Sequence, residues 1–382
     1  MSGRFARLGS TAVVVSVTMG ALLGLSPDSS AAPEPPETGS RSVAELLTDL
    51  QRLYRDAERA TETYNGTEEK LRKQRAEVVR LDRDLAKARL TLHDSRGAAG
   101  RLARQQYQGR TEISSYVRLL LARDPQHALD QGHVLRQLSL DRAETVERVV
   151  GNEKRIDGLT RAARKALDGQ LTLAGRQKKA RDDVSGRLDK VEELLASLTM
   201  GQLAELAEFE KSGEAAAQKR FMASGALSST ARRPSRAGED ALRYAVEQIG
   251  KPYKWGAEGP KSYDCSGLTS QAWQHAGRPI PRTSQEQWAQ LHRIPLSKLR
   301  PGDLVIYFPE ATHVALYVGD GMVVQAPRPG TKIKVSPIAA NPVLGAVRPD
   351  PRGKPLPKKQ YTPPKLPKGS LKGADTGYNG AR

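Results

Sequence analysis

Apolar residues recur at every third or fourth position between residues 43 and 102, and nearly all positions between them are charged or polar. This spacing is typical of a coiled-coil seam, and an unbroken helix over that range would be about 90 Å long. The seam positions are Val43, Leu46, Leu50, Leu53, Ala57, Ala60, Tyr64, Leu71, Val78, Leu81, Leu85, Ala88, Leu92, Ala99 and Leu102.

A second helical region is predicted from about residue 134 to 209, after an interruption at Gly109 and through the segment RDPQHALDQG. Its clearest seam positions are Val184, Leu188, Val191, Leu195 and Leu198. Two helices of similar length with an irregular connection predict an antiparallel hairpin, which we assign to residues 42–211. Near the connection, the segment YVRLLLA at 116–122 is too apolar for a simple loop, which leaves a short capping helix or a docking surface for a partner.

The rest of the chain divides by composition. Residues 212–237 are small, polar and basic, which is typical of a flexible linker. Residues 238–349 have the mixed patterning of a compact domain with helices and strands. Residues 350–382 hold six prolines and eight Lys or Arg against two Asp, with little to bury, so a disordered basic tail is predicted.

The N-terminal residues 1–31 have the pattern of a secretory signal. Arg4 and Arg7 precede an apolar run over residues 11–25, and small residues follow up to Ala32. The run is short for a membrane span, and no later stretch of about 18 apolar residues occurs. We expect a secreted, soluble protein; a retained signal anchor is the alternative.

The formal net charge of +18 at pH 7 points to an anionic partner. Nucleic acid is not expected for an exported chain, whereas anionic wall polymers or lipid head groups fit the compartment. The basic tail at 350–382 could bind such polymers, or be only a solvated extension.

Cys265 is the only cysteine, so the chain cannot form an internal disulfide. An unpaired thiol in an exported protein is either a buried structural residue or a nucleophile. The segment CSGLTSQAWQHAG is predicted to be a helix that begins at Cys265, with Asp264 in the cap region. The N–H groups of a helix N-terminus lower the pKa of a thiol and can receive an oxyanion, which favours the nucleophile.

Three of the six histidines lie near this cysteine in sequence: His275, His292 and His313. His275 lies about 15 Å further along the predicted helix and cannot reach the thiol, and His292 is in a polar stretch. His313 begins the predicted strand HVALYVG, whose rigid backbone could orient a general base. Gln325, in the next antiparallel strand, is placed to bond the imidazole and select its tautomer.

The segments GKPYKWG, YDCSGLTSQAW, IPRTSQEQW, LRPGDLVIYF and HVALYVGDGMVVQAPRPG together resemble the NlpC-type peptidoglycan endopeptidases, papain-like cysteine peptidases of bacterial cell walls. The resemblance covers roughly residues 238–349, under a third of the chain. It implies an α+β papain-like catalytic domain, with helices packed on an antiparallel sheet, preceded here by the long α-helical coiled-coil hairpin. The hairpin is itself similar to those of wall hydrolases that dock on a membrane regulator complex.

The resemblance implies roles for six residues. Cys265 would be the nucleophile, His313 the general base and later acid, and Gln325 the orienting residue. Many members have histidine in this third place, and glutamine adds no charge to stabilise an imidazolium. Tyr253, Asp264 and Ser266 would flank the nucleophile in the substrate-binding or oxyanion region. Ala257 stands where a second glycine is common.

The implied reaction is thiolate attack on the γ-D-glutamyl to diamino acid bond of wall stem peptides, through a thioester. No cofactor is implied, and the sequence has no H-E-x-x-H, no paired cysteines and no Gly-rich phosphate loop, so neither a metal site nor a nucleotide site is expected. The alternatives are a papain-like wall amidase and a non-catalytic wall-binding scaffold. The architecture also raises the hypothesis that the hairpin covers the active site until a partner moves it.

Overall fold

The computed structural model describes residues 42–108, 117, 125–228 and 230–367. The predicted signal at 1–31, most of the apolar segment at 116–122 and the tail beyond 367 lie outside these residues. Within them, no helix combines the length and the apolar character that a membrane crossing requires. The hairpin and the C-terminal domain pack as one unit.

The predicted antiparallel hairpin is confirmed. Its two helices are α1 (Val43–Gln108) and α2 (Pro125–Ala196). Asn152 donates a hydrogen bond to Ser95 near one end. Arg187 pairs with Asp56 near the other end, so the helices run in opposite directions. The buried seam includes Leu46, Leu50, Leu71, Leu81, Leu85, Ala88, Leu92, Ala166, Val184, Val191 and Leu195.

The second predicted helix is broken, and the predicted linker is partly wrong. A capping box between Thr199 and Gln202 begins a separate helix, α3 (Met200–Ala223). Residues 212–223, predicted as flexible linker, continue this helix because alanine, glutamate and lysine are strong helix formers despite their small or polar character. Gln218 of α3 donates to the carbonyl of Gly321 and accepts from the amide of Ala339, which joins α3 to the C-terminal domain.

The C-terminal domain has the predicted α+β architecture. Its helices are α4 (Arg236–Glu247), α5 (Cys265–His275) and α6 (Ser284–Gln290). Its strands are β1 (His292–Ile294), β2 (Leu304–Tyr307), β3 (His313–Gly319), β4 (Met322–Gln325), β5 (Lys334–Pro337) and β6 (Val343–Arg348).

The six strands form one antiparallel sheet in the order β1-β6-β2-β3-β4-β5. Helices α4 and α5 pack on one face, where Leu242, Trp273 and Ile306 are fully buried in the main core. The indole of Trp273 donates to the carbonyl of Gly302, so that its single polar atom is also satisfied inside the core. This packing holds the beginning of α5 against the beginning of β3.

The prediction of a disordered tail over 350–382 is wrong for its first residues. Arg300 forms a buried ion pair with Asp350 at 2.7 Å, and Ser235 also bonds that carboxylate. Leu356 is buried, and its amide donates to the carbonyl of Pro234. A buried guanidinium requires a carboxylate partner, and this need holds the segment in place although its composition favours disorder.

Candidate active site

Cys265 is the first residue of α5, as predicted. The carboxylate of Asp264 caps the helix by accepting from the amide of Gly267 at 2.6 Å. The cysteine is only 2% exposed, and its sulfur lies against the backbone N–H of Val314, the residue after His313. Folding therefore brings the thiol to the beginning of β3.

His313 and Gln325 lie on the neighbouring strands β3 and β4, and His313 is fully buried. The imidazole Nε2 lies 2.7 Å from Oε1 of Gln325. Because a glutamine Oε1 only accepts, Nε2 carries the proton in the neutral ring and Nδ1 is left with a free lone pair. Nδ1 is therefore the atom that could take a proton from the thiol.

The other residues predicted from the sequence also surround the thiol. Tyr253 is buried, and its pKa is raised well above the usual value by burial and then by the nearby Cys265. Asp264 forms a buried ion pair with Arg282 at 2.7 Å, and Ser266 accepts a hydrogen bond from the same guanidinium. The sequence reasoning did not single out Arg282, although it is part of the segment IPRTSQEQW.

The feature that sequence reasoning missed is a polar face of α1 that lies over this site. Glu58, Glu62 and Asn65 of α1 are all buried against the C-terminal domain. Their spacing of three and four residues places them on one side of the helix. Nothing in the sequence distinguished them from the solvent-exposed polar positions of a coiled coil.

Glu62 occupies the space beside the nucleophile. Its carboxylate accepts from the hydroxyl of Ser266 at 2.7 Å and from the backbone amide of Ser284 at 2.8 Å. The sulfur of Cys265 lies 3.9 Å from the same carboxylate. One turn further along α1, Asn65 donates to the carboxylate of Asp264 at 3.0 Å.

Glu58 occupies the space beside the base. Its Oε1 lies 3.3 Å from Nδ1 of His313, the nitrogen that would receive the thiol proton. Burial by itself lowers the pKa of His313, but Glu58 and the hydrogen bond to Gln325 outweigh it, so the pKa is raised. Because a carboxylate only accepts, this contact is made by the protonated ring, whose Nδ1–H faces Glu58 and has no lone pair left for the thiol proton.

The protonation states of this arrangement are unfavourable for attack. Burial raises the pKa of the Cys265 thiol well above its usual value, and the carboxylates of Glu62, Asp264 and Glu58 raise it further. The lowered pKa expected at a helix N-terminus is therefore not found in this state. Burial, followed by the charge of Asp264, also raises the pKa of Glu62 to about 7, against the lowering effect of Arg282.

A cavity of about 720 Å³ lies beside this cluster, between the hairpin and the sheet. Gln325 and Glu58 line it near the base, and Arg328 and Lys334 also line its catalytic-domain side, with Lys334 opposite Gln325 in the neighbouring strand. Helices α1 and α3 form the opposite wall.

A thiol at a helix N-terminus, against the first residues of an antiparallel strand that begins with histidine, is typical of the papain-like class of fold. Residues 250–345 match the model of the NlpC/P60 family. The C-terminal domain of this chain belongs to that family.

The relatives are named as probable endopeptidases. One from Corynebacterium glutamicum is 43% identical over 111 residues, which are 29% of this chain and 53% of the relative. One from Mycobacterium tuberculosis is 36% identical over 119 residues, 30% of this chain and 31% of the relative. The probable endopeptidase p60 of Listeria welshimeri is 43% identical over 90 residues, 23% of this chain and 17% of the relative. The chain thus spans about half the length, or less, of these relatives.

Proposed function

We propose that this protein is a secreted, cell-wall-associated peptidoglycan hydrolase, a cysteine endopeptidase that cuts the γ-D-glutamyl to diamino acid bond of stem peptides. The observation that carries the proposal is the buried cluster of Cys265, His313 and Gln325 in an NlpC/P60 domain. A net charge of +18 suits a substrate rich in free carboxylates.

The proposed reaction begins when His313 Nδ1 takes the proton of Cys265. The thiolate attacks the carbonyl carbon, and N–H groups at the beginning of α5 receive the oxyanion. Collapse of the tetrahedral intermediate breaks the C–N bond as the imidazolium gives its proton to the leaving amine, and a thioester remains. Water, deprotonated by the imidazole, then attacks the thioester, and the carboxylic acid and the thiol are released. Gln325 keeps Nε2 protonated, so Nδ1 is the nitrogen that exchanges protons.

We further propose that the structure represents a closed state in which the hairpin inhibits the enzyme. Glu62 lies where a substrate would approach the thiol, and Glu58 engages the nitrogen that the reaction needs. The site becomes accessible only when α1 moves. Glu62→Lys should open the full-length chain, because it places an ammonium beside Arg282 and opposite the hydrogen-bond donors of Ser266 and Ser284.

Digestion of purified peptidoglycan by the Glu62→Lys chain tests the reaction. Mass spectrometry should find products cut after the second residue of the stem peptide. Release of whole stem peptides from the glycan would instead support an amidase. No release at all would support a wall-binding scaffold and contradict the proposal.

The closed state should weaken as the pH rises. Glu62 has a pKa of about 7 in the closed state and 4.5 when solvated, so the closed state binds more protons between these values. Raising the pH therefore favours opening, and the raised pKa of His313 acts in the same direction. Around Glu62 the charged or titratable groups are Asp264, Arg282, His313 and Cys265 of the catalytic domain and, one helical turn away on α1, Glu58.

Glu62→Gln isolates this effect, because its carboxamide resembles the protonated acid and does not titrate. We expect the ratio of the wild-type rate to the Glu62→Gln rate to rise between about pH 4.5 and pH 7, by one to two orders of magnitude, and to level off above. Rates of peptidoglycan solubilisation by the two full-length chains across this range measure it. A ratio that does not change with pH would contradict the role given to Glu62.

We also propose that a membrane regulator complex moves the hairpin, and that the basic tail binds anionic wall polymers. The support for the first is a group of exposed apolar residues in the first part of α2, Leu129, Val134, Leu138 and Leu140. Photocrosslinking from position 138 in intact cells should capture a membrane protein, and capture of none would contradict this partner.

Removal of residues 368–382 should weaken binding to anionic wall polymer in a sedimentation assay; unchanged binding would contradict the role of the tail.

A further inference from the structure

A third carboxylate that contacts the catalytic domain, Glu210 of α3, holds a guanidinium that lines the same cavity. Arg328 lies in the loop after β4, three residues beyond Gln325. Its two terminal nitrogens bond the two carboxylate oxygens of Glu210, from α3, at 2.6 and 2.9 Å. The ring of Tyr54, from α1, lies over this guanidinium with its centroid 4.8 Å away.

The position of Arg328 relative to the catalytic cluster indicates which part of a substrate it meets. Gln325 and Arg328 both line the cavity of about 720 Å³. Both residues that contact the imidazole, Glu58 at Nδ1 and Gln325 at Nε2, line this cavity, whereas Cys265 does not, so the cavity lies on the imidazole side of the thiol. In the proposed reaction His313 protonates the leaving amine, so the leaving part of the peptide lies on this same side.

The guanidinium of Arg328 is suited to binding a carboxylate. A guanidinium presents two parallel N–H donors that match the two oxygens of a carboxylate, and Glu210 uses this geometry in the closed state. Glu210 lies in the first half of α3, which packs on the hairpin through Leu203 and Leu206. When the hairpin moves together with this half of α3, the bidentate contact with Glu210 is broken, whereas Arg328, 14% exposed in the closed state, remains on the sheet domain. A charged group in such surroundings gains most from another anion of the same shape.

We propose that Arg328 binds a free carboxylate of the leaving diamino acid, and that Glu210 stands in for this carboxylate while the enzyme is closed. This inference rests on the proposed endopeptidase function. It makes Arg328 a residue that determines specificity on the leaving side of the scissile bond, separate from the thiol and the imidazole.

Two synthetic tripeptides test the proposal, both L-alanyl-γ-D-glutamyl-diaminopimelate, one with free carboxylates on the diaminopimelate and one with carboxamides there. They are compared with full-length chains that all carry Glu62→Lys, so that the cleft is open. A charge-assisted bidentate contact corresponds to a preference of about 10- to 100-fold in kcat/KM for the free carboxylates. Arg328→Gln should bring this ratio close to one.

Two matched variants separate recognition from opening. Arg243→Gln removes an arginine that pairs with Glu239 and Asp240 on the surface of α4, and it should keep the preference. Glu210→Gln removes the negative charge that pairs with the guanidinium and leaves Arg328 in place, so it should also keep the preference. Because each ratio compares two peptides with one enzyme, neither the fraction of open chains nor partial unfolding changes it. Arg328→Lys, which keeps the charge but loses the fork, should give an intermediate ratio.

The outcomes distinguish this inference from the function on which it rests. If the parent chain shows no preference, or if Arg328→Gln keeps it, the subsite is wrong while the endopeptidase stands. If the Glu62→Lys chain cleaves neither peptide and releases no wall fragments, the proposed function fails, and the subsite fails with it.

Discussion

Cys265→Ala will abolish the release of peptide fragments from peptidoglycan, with a loss of about a thousandfold or more. The proposed reaction passes through a bond to the sulfur, and alanine offers no nucleophile in its place. The substitution removes one buried atom at the beginning of α5 and leaves the Asp264 cap in place, so the domain should keep its fold. The thermal unfolding midpoint of both chains checks that.

The measurement compares full-length chains that carry Glu62→Lys, with and without Cys265→Ala, on the same purified peptidoglycan. Substitution of two histidines of the domain, one in the active site and one outside it, tests the role of the base. His313→Ala should lose nearly as much activity, whereas His292→Ala, at an exposed position of β1, should keep it. Activity that survives Cys265→Ala would refute the thioester route.

Glu62→Lys will raise the rate of peptidoglycan hydrolysis by the full-length chain by about a hundredfold or more. In the closed state Glu62 is fully buried beside Arg282 and accepts hydrogen bonds from Ser266 and Ser284. A buried charge left without compensation destabilises its surroundings by about 3–5 kcal/mol, which is more than a hundredfold in the closing equilibrium. In the open state position 62 is solvated, and the substitution is neutral there.

Glu77→Lys is the matched control for this prediction. It makes the same charge change on the same helix, at an exposed position where Glu77 pairs only with Arg80 among the ion pairs of the described residues. Position 77 lies about 22 Å further along α1, away from the catalytic domain. Its rate should equal that of the wild type. If Glu62→Lys is no faster than Glu77→Lys, the hairpin does not inhibit the enzyme.

The helix and the strand that carry the active-site residues could be predicted from the sequence. The cap at Asp264, the helix that begins at Cys265 and the strand that begins at His313 are all present as predicted. The contact between His313 and Gln325 follows from the alternation of side-chain direction along two adjacent strands, which is also a property of residues close together in sequence. The seam of the hairpin was predicted for the same reason, because the helical period is a property of neighbouring residues.

Composition was a weaker guide where packing decided the outcome. Residues 212–223 were predicted as linker because they are small and polar, yet they form half of α3 and bond Gly321 and Ala339 of the sheet domain. Asp350 was predicted in a disordered tail, yet it holds Arg300 in the interior. In both places a contact with a distant segment stabilises the folded conformation, and composition alone does not predict that contact.

The order of residues along the chain indicates which side chains could take part in catalysis and which helix or strand carries each of them. The state in which those side chains are held follows from contacts between distant segments of the folded chain. Glu58 and Glu62 occupy ordinary polar positions of a coiled coil, and they meet His313 and Ser266 across more than 200 residues of chain. A hydrophobic pattern shows which face of a helix is buried in its own seam. The pattern does not show whether another surface packs on the polar face of that helix. Here the catalytic domain packs on the polar face of α1, and this packing sets the exposure and the pKa of the thiol.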